Sequence, residues 1–272
     1  MPKRTLSQRE AELVSWLEAE RRQSVNITDV KAIFNWTDQV ARHTVSRLAK
    51  KGWLYRTAQG RYEVLLAETG GWIVPNPWAA LNAWNQQYYV CLKSAAYEQD
   101  LTPDRPRDVQ VCVPTGAKRP NAWADIPIVL IPARKFNSFG VLIRELHGFQ
   151  INIASPEKIL VDGASRLNRM GGILGLSRIV YNGVHRVDWQ TVVELAAESP
   201  HGRAGLRRIA ALMDILNLEI PEPLAVEATA KPKESLLYLG DRTSYGYHGK
   251  RLSRWKVMIN VDPASIREEV RR

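Results

Sequence analysis

The sequence contains few of the residues from which metal sites and covalent catalytic sites are built. Its 272 residues include two cysteines and five histidines, and none of them has the CxxC, HxxxH or HxE spacing of a zinc site. A GxSxG segment, which would present a serine nucleophile, is also missing from the sequence. We therefore predict that the protein has no catalytic residues, binds no metal, needs no cofactor and is not an enzyme.

Long apolar runs are missing as well. None approaches the roughly 18 residues that a membrane-spanning helix requires, and the first ten residues contain no apolar core of the kind found in a secretory signal. Cys91 and Cys112 each stand beside apolar residues in a predicted strand, which favours buried thiols in a reducing compartment over a disulfide. We therefore expect a cytoplasmic protein without a membrane partner.

Positive charge is what the sequence has in excess. The chain carries 38 lysines and arginines against 28 acidic residues, which gives a net charge of +10. A basic balance of this size suits a polyanionic partner, although alone it does not identify one. The excess is concentrated between Thr37 and Arg61, where six basic residues stand against one acid, Asp38.

The segment 27–64 has the spacing of a helix-turn-helix followed by a hairpin. A helix is predicted at 28–34 and a turn at Asn35 and Trp36. Thr37 is then the N-cap of a second helix at 38–51, and a hairpin follows at 53–65. In the second helix Ala41, Val45 and Leu48 recur at offsets that put them on one buried face. In the hairpin, alternating residue types flank a three-residue loop that contains Gly60. We interpret this segment as a winged helix-turn-helix whose second helix is the recognition helix.

The recognition helix would expose polar side chains opposite its buried face, where they can reach base edges or phosphates in a major groove. The predicted DNA-binding residues in the helix and hairpin are Thr37, Gln39, Arg42, His43, Ser46, Arg47, Lys50, Lys51, Arg56 and Arg61. Among them Arg42 and Arg47 are the first candidates for base or phosphate contact. A further helix is predicted before these elements, capped by Ser7 and running to about Arg22. The alternative is that the three helices only pack together and that the polar face of the second helix of the pair is merely solvated.

The remainder of the sequence predicts short strands first and helices afterwards. The strands are expected at 88–92, 109–113, 126–131, 141–145 and 149–153, and they predict a small mixed or antiparallel sheet. Helices are expected at 172–181, 188–198 and 203–216, after one that is capped by Ser155. An exposed linker or long loop is then predicted at 221–233, followed by strands at 235–239 and 255–261.

The expected fold class is therefore α+β. We predict an N-terminal winged helix-turn-helix domain at 1–68 and a C-terminal mixed α/β domain at 69–272, which has a small sheet and a helical part. Gly70 and Gly71 are the expected hinge, and a further boundary within the second domain is expected near residue 154.

Two places in the C-terminal part are rich in basic residues, and in the second of them these residues are interleaved with Tyr245, Tyr247 and Trp255, a mixture that can bind nucleic acid through phosphate contact and stacking. Their basic members are Arg203, Arg207 and Arg208 in a predicted helix, and Lys250, Arg251 and Arg254 near the last strand. The alternative is a solvated helix face for the first group and an edge hairpin protected by charge for the second. Binding of nucleic acid at a second surface is therefore a hypothesis, and the solvated helix face and the charged edge hairpin are its alternatives.

Short motifs in a fixed order carry a resemblance that covers nearly the whole chain. They are Leu48, Lys50, Gly52, Trp53 and Leu54; Ser155 to Lys158 with Asp162; Gly171 and Gly172; the helix with Arg203, Arg207 and Arg208; and the closing Trp255, Val257 and Asn260. In these motifs the chain resembles the abortive-infection type IV antitoxin family (AbiEi). Ile159 stands where that family often has threonine, a departure that concerns structure and leaves the expected function unchanged.

This resemblance implies a function. It implies a transcriptional autorepressor that binds repeats in its own promoter as double-stranded DNA. Self-association on that DNA is a further hypothesis. It also implies that the C-terminal domain serves as the antitoxin of a nucleotidyltransferase-like toxin, without necessarily touching it. The alternative is an RNA-binding or enzymatic effector that counters a toxin at its target, with the winged helix as a general interaction module.

Overall fold

The structure is a computed structural model that describes residues 6–20, 22, 24–64, 76–120, 123, 126–231 and 233–271. Within these residues the chain has a mixed α+β fold with twelve α-helices and three small sheets. It divides into two compact units. The first comprises the described residues of Met1–Gln86, Lys118–Ile128 and Glu145–Ile151, and the second those of Gln87–Ala117, Val129–Arg144 and Asn152–Arg272. No helix in the described ranges is long and apolar enough to cross a membrane.

The first unit begins with three helices and a three-stranded sheet. In chain order its elements are α1 (Gln8–Ala19), β1 (Ser24–Asn26), α2 (Ile27–Phe34), α3 (Asp38–Lys50), β2 (Leu54–Ala58), β3 (Arg61–Val64) and α4 (Pro77–Asn82). The sheet has the order β1-β3-β2, and both of its pairings are antiparallel. Helices α2 and α3 occur within one residue of their predicted bounds. By contrast, β1 was not predicted, and α1 ends at Ala19 instead of near Arg22.

Side-chain caps fix where α2 and α3 begin. The Asn26 side chain accepts a hydrogen bond from the Asp29 N–H at 2.7 Å, and the Thr37 hydroxyl accepts one from the Val40 N–H at 3.4 Å. These bonds satisfy first-turn donors that have no partner within the helix. Asn35 ends α2 in the left-handed region, with φ of 51°, which asparagine tolerates better than most residues. Local residues therefore determine the turn between the two helices.

The hairpin of β2 and β3 is tighter than the sequence predicted. Its register pairs Ala58 with Arg61, so that Gln59 and Gly60 form a two-residue loop, and an irregularity lies between Arg56 and Ala58. Gly60 has φ of +74°, a conformation that glycine adopts without steric cost. The sequence pattern predicted a three-residue loop that includes Ala58, but with this irregularity Ala58 belongs to β2.

Distant parts of the sequence complete the first unit. Trp123 is fully buried, and its indole Nε1 donates to the carbonyl oxygen of Thr57 in β2 at 2.8 Å. The domain boundary predicted after residue 68, with its glycine hinge, lies outside the described residues. Described residues of 76–86, 118–128 and 145–151, which the predicted boundary assigns to the second domain, belong to the first unit.

The second sheet of the chain is mixed and has five strands. Its order is β6-β5-β4-β8-β7, with β4 at Tyr89–Val90, β5 at Val109–Pro114, β6 at Ile128–Ala133, β7 at Val141–Leu146 and β8 at Phe149–Ala154. Strand β4 pairs antiparallel with β5 and parallel with β8, which confirms the mixed alternative. Strand β4 is shorter than predicted because α5 (Leu92–Glu98) begins directly after Cys91.

Helices form most of the rest of the second unit. They are α6 (Pro156–Ser165), a 3-10 helix (Leu167–Arg169), α7 (Gly172–Gly183), α8 (Trp189–Glu198), α9 (Gly202–Leu216), α10 (Glu222–Ala228), α11 (Arg242–Tyr245) and α12 (Pro263–Glu269). Helix α9 packs against α6, α8 and α10 and is buried along most of its length. Ser155 caps α6 as predicted, since its hydroxyl accepts from the Lys158 N–H at 3.3 Å.

The prediction of an exposed linker over 221–233 is wrong, because this stretch contains α10. Leu224 and Ala228 of that helix are fully buried. Pro221 precedes the helix and Pro223 lies in its first turn, where proline is compatible with helical geometry. Beyond it, a three-stranded sheet takes the place of the two predicted strands. Its order is β10 (Lys250–Leu252), β11 (Val257–Ile259), β9 (Leu237–Tyr238).

Candidate nucleic-acid interface

The candidate interface is the solvent face of α3. Ala41, Val45 and Leu48 on its opposite face are fully buried, so packing fixes the rotation of the helix and directs the other side chains outward. The predicted residues that are exposed are Thr37, Gln39, Arg42, His43, Ser46, Arg47 and Lys50 on α3 and its cap, and Arg56 and Arg61 in the hairpin. The tenth, Lys51, is partly buried.

Asp38 organises two cations at the start of α3. Its carboxylate accepts hydrogen bonds from Arg42 Nε at 2.5 Å and from Lys31 Nζ at 3.1 Å. The bond from Arg42, and then that from Lys31, lowers the pKa of Asp38, and Asp38 in turn raises the pKa of Arg42. The Arg42 side chain stays 57% exposed, so the pair contributes little stability. Because an arginine has five N–H donors, one bond to Asp38 leaves others for a phosphate or a base.

Three further cations of this surface have no acidic partner among the described residues. Within the described ranges, Arg47, Lys50 and Arg61 form no ion pair. Their charges are therefore not neutralised by an acidic side chain of the described residues, and they attract an anion that approaches α3. Displacing counterions from a phosphate backbone requires cations of this kind.

Grooves run along both flanks of α3. Towards the hairpin, Ser46 and Lys50 contribute to the lining of a cavity of about 310 Å³. Towards α1, the side chains of Gln39, His43 and Arg47 contribute to the lining of a cavity of about 540 Å³. The predicted residues thus line both flanks of one helix.

Arg9 is a cation of this surface that was not among the predicted residues. It is exposed in the first turn of α1 and lines the same cavity as His43 and Arg47. A signal for it exists in the sequence, since the predicted cap at Ser7 fixes Arg9 in the first helical turn. What the sequence did not indicate is that this turn lies beside α3.

Lys51 has a different environment from the other predicted residues. Its Nζ donates to a carboxylate oxygen of buried Glu10 at 2.6 Å, and the Ser7 N–H donates to the same oxygen at 2.6 Å. Burial by itself raises the pKa of Glu10, but the hydrogen bonds from Lys51 and Ser7 outweigh it and lower the pKa to about 2. Lys51 therefore connects the start of α1 to the end of α3 instead of lying on the exposed face.

The first half of the predicted second basic surface is not an exposed face, which corrects that expectation. Arg207 is 4% exposed, and its guanidinium donates to the carbonyl oxygens of Trp255, Lys256 and Ser235 at 2.6, 2.6 and 2.9 Å. Burial lowers the pKa of Arg207. This arginine holds together the chain around β9 and β11.

The two neighbours of Arg207 also bind within the second unit. Arg203 pairs with Glu227 at 3.0 Å and with Glu234 at 2.5 Å. Arg208 Nη1 donates to the carbonyl oxygen of Ala164 at 2.5 Å. A row of arginines at helical spacing predicts a solvated or nucleic-acid-facing surface, but here the row supplies donors to carbonyl and carboxylate groups.

The second half of the predicted surface is exposed. Lys250 and Arg251 lie in β10, and Arg254 follows in the turn before β11 with its guanidinium 4.3 Å from the centre of the Trp255 ring. Trp255 itself is fully buried, so Arg254 covers one side of a packed ring. These three cations are exposed, so an anion can reach them. In their exposure they differ from Arg203, Arg207 and Arg208.

A buried polar cluster in the second unit was not predicted. The Tyr89 hydroxyl donates to Asp162 Oδ2 at 3.2 Å, and burial raises the pKa of Asp162 while Lys158 opposes that shift. Cys91 and Cys112 are buried and free, as predicted, and burial raises the pKa of both thiols. In the part of the chain that the structure describes, no group of three or more histidine, cysteine, aspartate or glutamate side chains is placed to hold a metal ion.

Comparison with known proteins relates the fold to a solved structure. No protein-family model matches the chain, and no curated protein matches it. The chain is similar to the crystal structure of the RV2827C protein from Mycobacterium tuberculosis, with a TM-score of 0.72 and 14% sequence identity. The similarity covers 99% of this chain and 97% of that chain. At this level of identity, the likeness shows a shared fold and nothing further.

Proposed function

We propose that the protein is a sequence-specific DNA-binding transcriptional autorepressor. In this proposal α1, α2, α3 and the β1-β3-β2 sheet form a winged helix-turn-helix, with α3 as the recognition helix and the β2–β3 hairpin as the wing. The observation that carries the proposal is the contrast between the two faces of α3. One face is apolar and fully buried, whereas the other presents Arg42, Arg47 and Lys50 to solvent.

The proposed roles of these cations differ. Arg42 is held by Asp38 at the start of α3, which suits the N-terminal part of a recognition helix, where base edges are contacted. Arg47 and Lys50 lie further along the helix and, with Arg9, Arg56 and Arg61, serve as phosphate contacts. Lys51 has a structural role in this proposal, because its charge is already paired with Glu10.

The test is a comparison of two double variants with equal charge loss. Binding of the full-length protein to the DNA upstream of its own gene is measured at two salt concentrations. For Arg42→Ala with Arg47→Ala, we expect at least about a tenfold loss of affinity and a salt dependence that is flatter by about one unit of slope per lost phosphate contact. Arg105→Ala with Arg107→Ala removes two exposed arginines of the second unit and should change neither quantity.

Equal losses in the two double variants would contradict the proposal, since overall charge and not α3 would then determine binding. Affinity for the upstream DNA no higher than for random DNA of the same length would contradict sequence specificity. Both outcomes are distinguishable from misfolding, because the variants carry substitutions only at exposed positions and their thermal unfolding can be compared with that of the wild type.

We also propose an antitoxin role, for which the support is the ordered set of motifs shared with the AbiEi family. In this role the second unit neutralises a nucleotidyltransferase-like toxin, and the protein does not have to bind the toxin directly. The DNA-binding and antitoxin roles use different parts of the chain, so they can be tested separately.

A further inference from the structure

A cavity of about 1000 Å³ lies within the second unit. Its walls come from the end of α6, the start of α7, helix α9 and the segment from β9 through α11. Ligand sites in proteins commonly have volumes of about 300–1000 Å³. The cavity is thus large enough for a ligand with both a charged part and a ring, and its lining has features that suit each.

The charged lining is mainly cationic. Arg166, Arg208 and Arg242 line the cavity, and Asp241 is the one acid among the described residues of the lining. The Asp241 carboxylate caps α11 by accepting from the Thr243 N–H at 2.6 Å, so one of its oxygens is already engaged. Three guanidinium groups against one engaged carboxylate favour an anionic ligand.

Two residues that line the cavity each have a buried polar atom without a hydrogen-bond partner within the described part of the chain: Ser165 Oγ and Arg208 Nε. A buried polar atom without a partner costs free energy unless another group satisfies it. Burial, and after it the charge of neighbouring Arg207, lowers the pKa of Arg208 to about 10, and at this pKa the guanidinium is still a cation at neutral pH. Arg208 therefore contributes positive charge to the wall of the cavity.

The start of α7 adds backbone donors to the same cavity. Gly171 is its N-cap and has no side chain to bond the first-turn N–H groups. Gly172 has φ of +75°, and a Cβ built on it would meet no atom within 4 Å, so the backbone is open to an approaching group at this point. The N-terminus of a twelve-residue helix complements the arginines, because it also favours negative charge.

Aromatic rings line the other side of the cavity. Tyr238 and Tyr247 are in edge-to-face contact with centroids 5.8 Å apart, and the Arg242 guanidinium lies 5.6 and 5.5 Å from the two ring centres. The Tyr247 side chain is nevertheless 58% exposed, and Tyr245 beside it is 39% exposed. Exposed rings next to arginines are the groups on which nucleobases stack.

We propose that this cavity binds a nucleoside phosphate, with the phosphate at Arg166, Arg208 and the start of α7 and the base on Tyr245 or Tyr247 beside Arg242. The phosphate is attracted by the arginine cations and accepts hydrogen bonds at the start of α7, and the tyrosines provide a stacking surface that tolerates any base. The ligand is either a free mononucleotide or the 5′-phosphorylated end of a nucleic-acid strand, since both present the same chemical groups. This site is separate from α3, and the inference does not depend on DNA binding by that helix.

The test measures binding of small ligands to the full-length protein by titration calorimetry. The probes are the four nucleoside 5′-monophosphates, the matching nucleosides, inorganic phosphate, and one tetranucleotide with and without a 5′-phosphate. Arg242→Ala removes the cation between the rings, and Tyr247→Ala removes the most exposed ring. Arg251→Ala is the matched control, because Arg251 is an exposed arginine of β10 that does not line the cavity.

We expect at least one monophosphate or the 5′-phosphorylated tetranucleotide to bind, and the corresponding probe without phosphate to bind at least about tenfold more weakly. Arg242→Ala and Tyr247→Ala should each weaken binding about tenfold or more, and Arg251→Ala should leave it unchanged. Preference for the mononucleotide or for the tetranucleotide identifies the source of the ligand.

Three outcomes would overturn the proposal. The first is that no probe binds at millimolar concentration to protein whose thermal unfolding is normal. The second is binding that is indifferent to the phosphate. The third is an equal loss in Arg242→Ala and Arg251→Ala, which would mean that general positive charge attracts the anion without a defined site.

Discussion

The charge of Glu10 contributes to the stability of the first unit. It is 1% exposed, and it accepts hydrogen bonds from Lys51 and from the backbone of Ser7. A carboxylate in such a place is stabilised only while its partners are present, because the charge is otherwise buried without compensation. The pair joins α1 to the end of α3, so its state affects the helix that we propose contacts DNA.

The pKa of Glu10 leads to a prediction about pH. It is lowered from 4.5 to about 2 in the folded protein, so the folded state favours the ionised form. The resulting stability is present above pH 4.5 and is lost as the pH falls towards 2. Glu10→Gln should therefore lower the free energy of unfolding of the first unit by about 1–3 kcal/mol at pH 7, and by progressively less below pH 4.5. Urea unfolding at pH 7, 4 and 3 measures this.

Glu18→Gln is the control for that experiment, because Glu18 lies exposed on the same helix. It should leave the unfolding free energy nearly unchanged at every pH. A loss of stability in Glu10→Gln that stayed constant from pH 7 to pH 3 would argue that shape, and not charge, makes Glu10 important.

Arg207 shows what the sequence could not reveal about single residues. Its place in a basic helix is visible in the sequence, but its three carbonyl partners are 28, 48 and 49 residues further along the chain. Arginine is used both for nucleic-acid contact and for buried hydrogen bonding. Only the positions of the distant carbonyl groups decide between these uses, and no local pattern records them.

Among the structural elements, the β2–β3 hairpin depends on a residue far away in the sequence. Trp123 is fully buried and donates from its indole to Thr57, which is itself 2% exposed. If the indole N–H is removed, a buried carbonyl oxygen loses this partner, and such a loss costs about 1–3 kcal/mol. The hairpin should therefore be held less firmly without it.

We predict that Trp123→Phe speeds amide hydrogen exchange in the hairpin, 54–64, and leaves exchange in α6 unchanged. Hydrogen exchange followed by mass spectrometry measures both regions in one experiment. Trp189→Phe is the matched control, because Trp189 Nε1 donates to the Val184 carbonyl oxygen at 3.2 Å in the second unit. Its effect should stay near α8. Unchanged exchange in the hairpin of Trp123→Phe would show that the indole bond does not support it.

The elements that the sequence predicted best are those whose limits are set by neighbouring residues. Thr37 caps α3, and Asn35 ends α2 in the left-handed region, so both limits can be inferred from a few consecutive residues. Strand β1 has three residues and forms only by pairing with β3, which no periodicity within it could indicate. At α10, Pro221 and Pro223 are compatible with a loop and equally with the start of a helix. Tertiary packing, seen in the burial of Leu224, favours the helix.

At the scale of the whole molecule, the two units assign the proposed functions to different residues. The DNA-contacting residues of the proposal all belong to the first unit, whereas Arg207 and the chain that it holds belong to the second. Charge at α3 and packing around Arg207 can thus be changed one at a time. This permits a test in which each variant is the control for the other.

Full-length Arg42→Ala with Arg47→Ala should lose binding to the upstream DNA and still protect cells when it is co-expressed with the proposed toxin from an independent promoter. Arg207→Leu should keep binding to the upstream DNA, because it leaves α3 intact, and should lose protection. In this variant the carbonyl groups of Trp255, Lys256 and Ser235 lose their donor, which destabilises the second unit. Promoter binding and growth rescue are measured for both variants. If the α3 variant failed to protect although it folds normally, protection would depend on DNA binding, and the assignment of the antitoxin role to the second unit would be wrong.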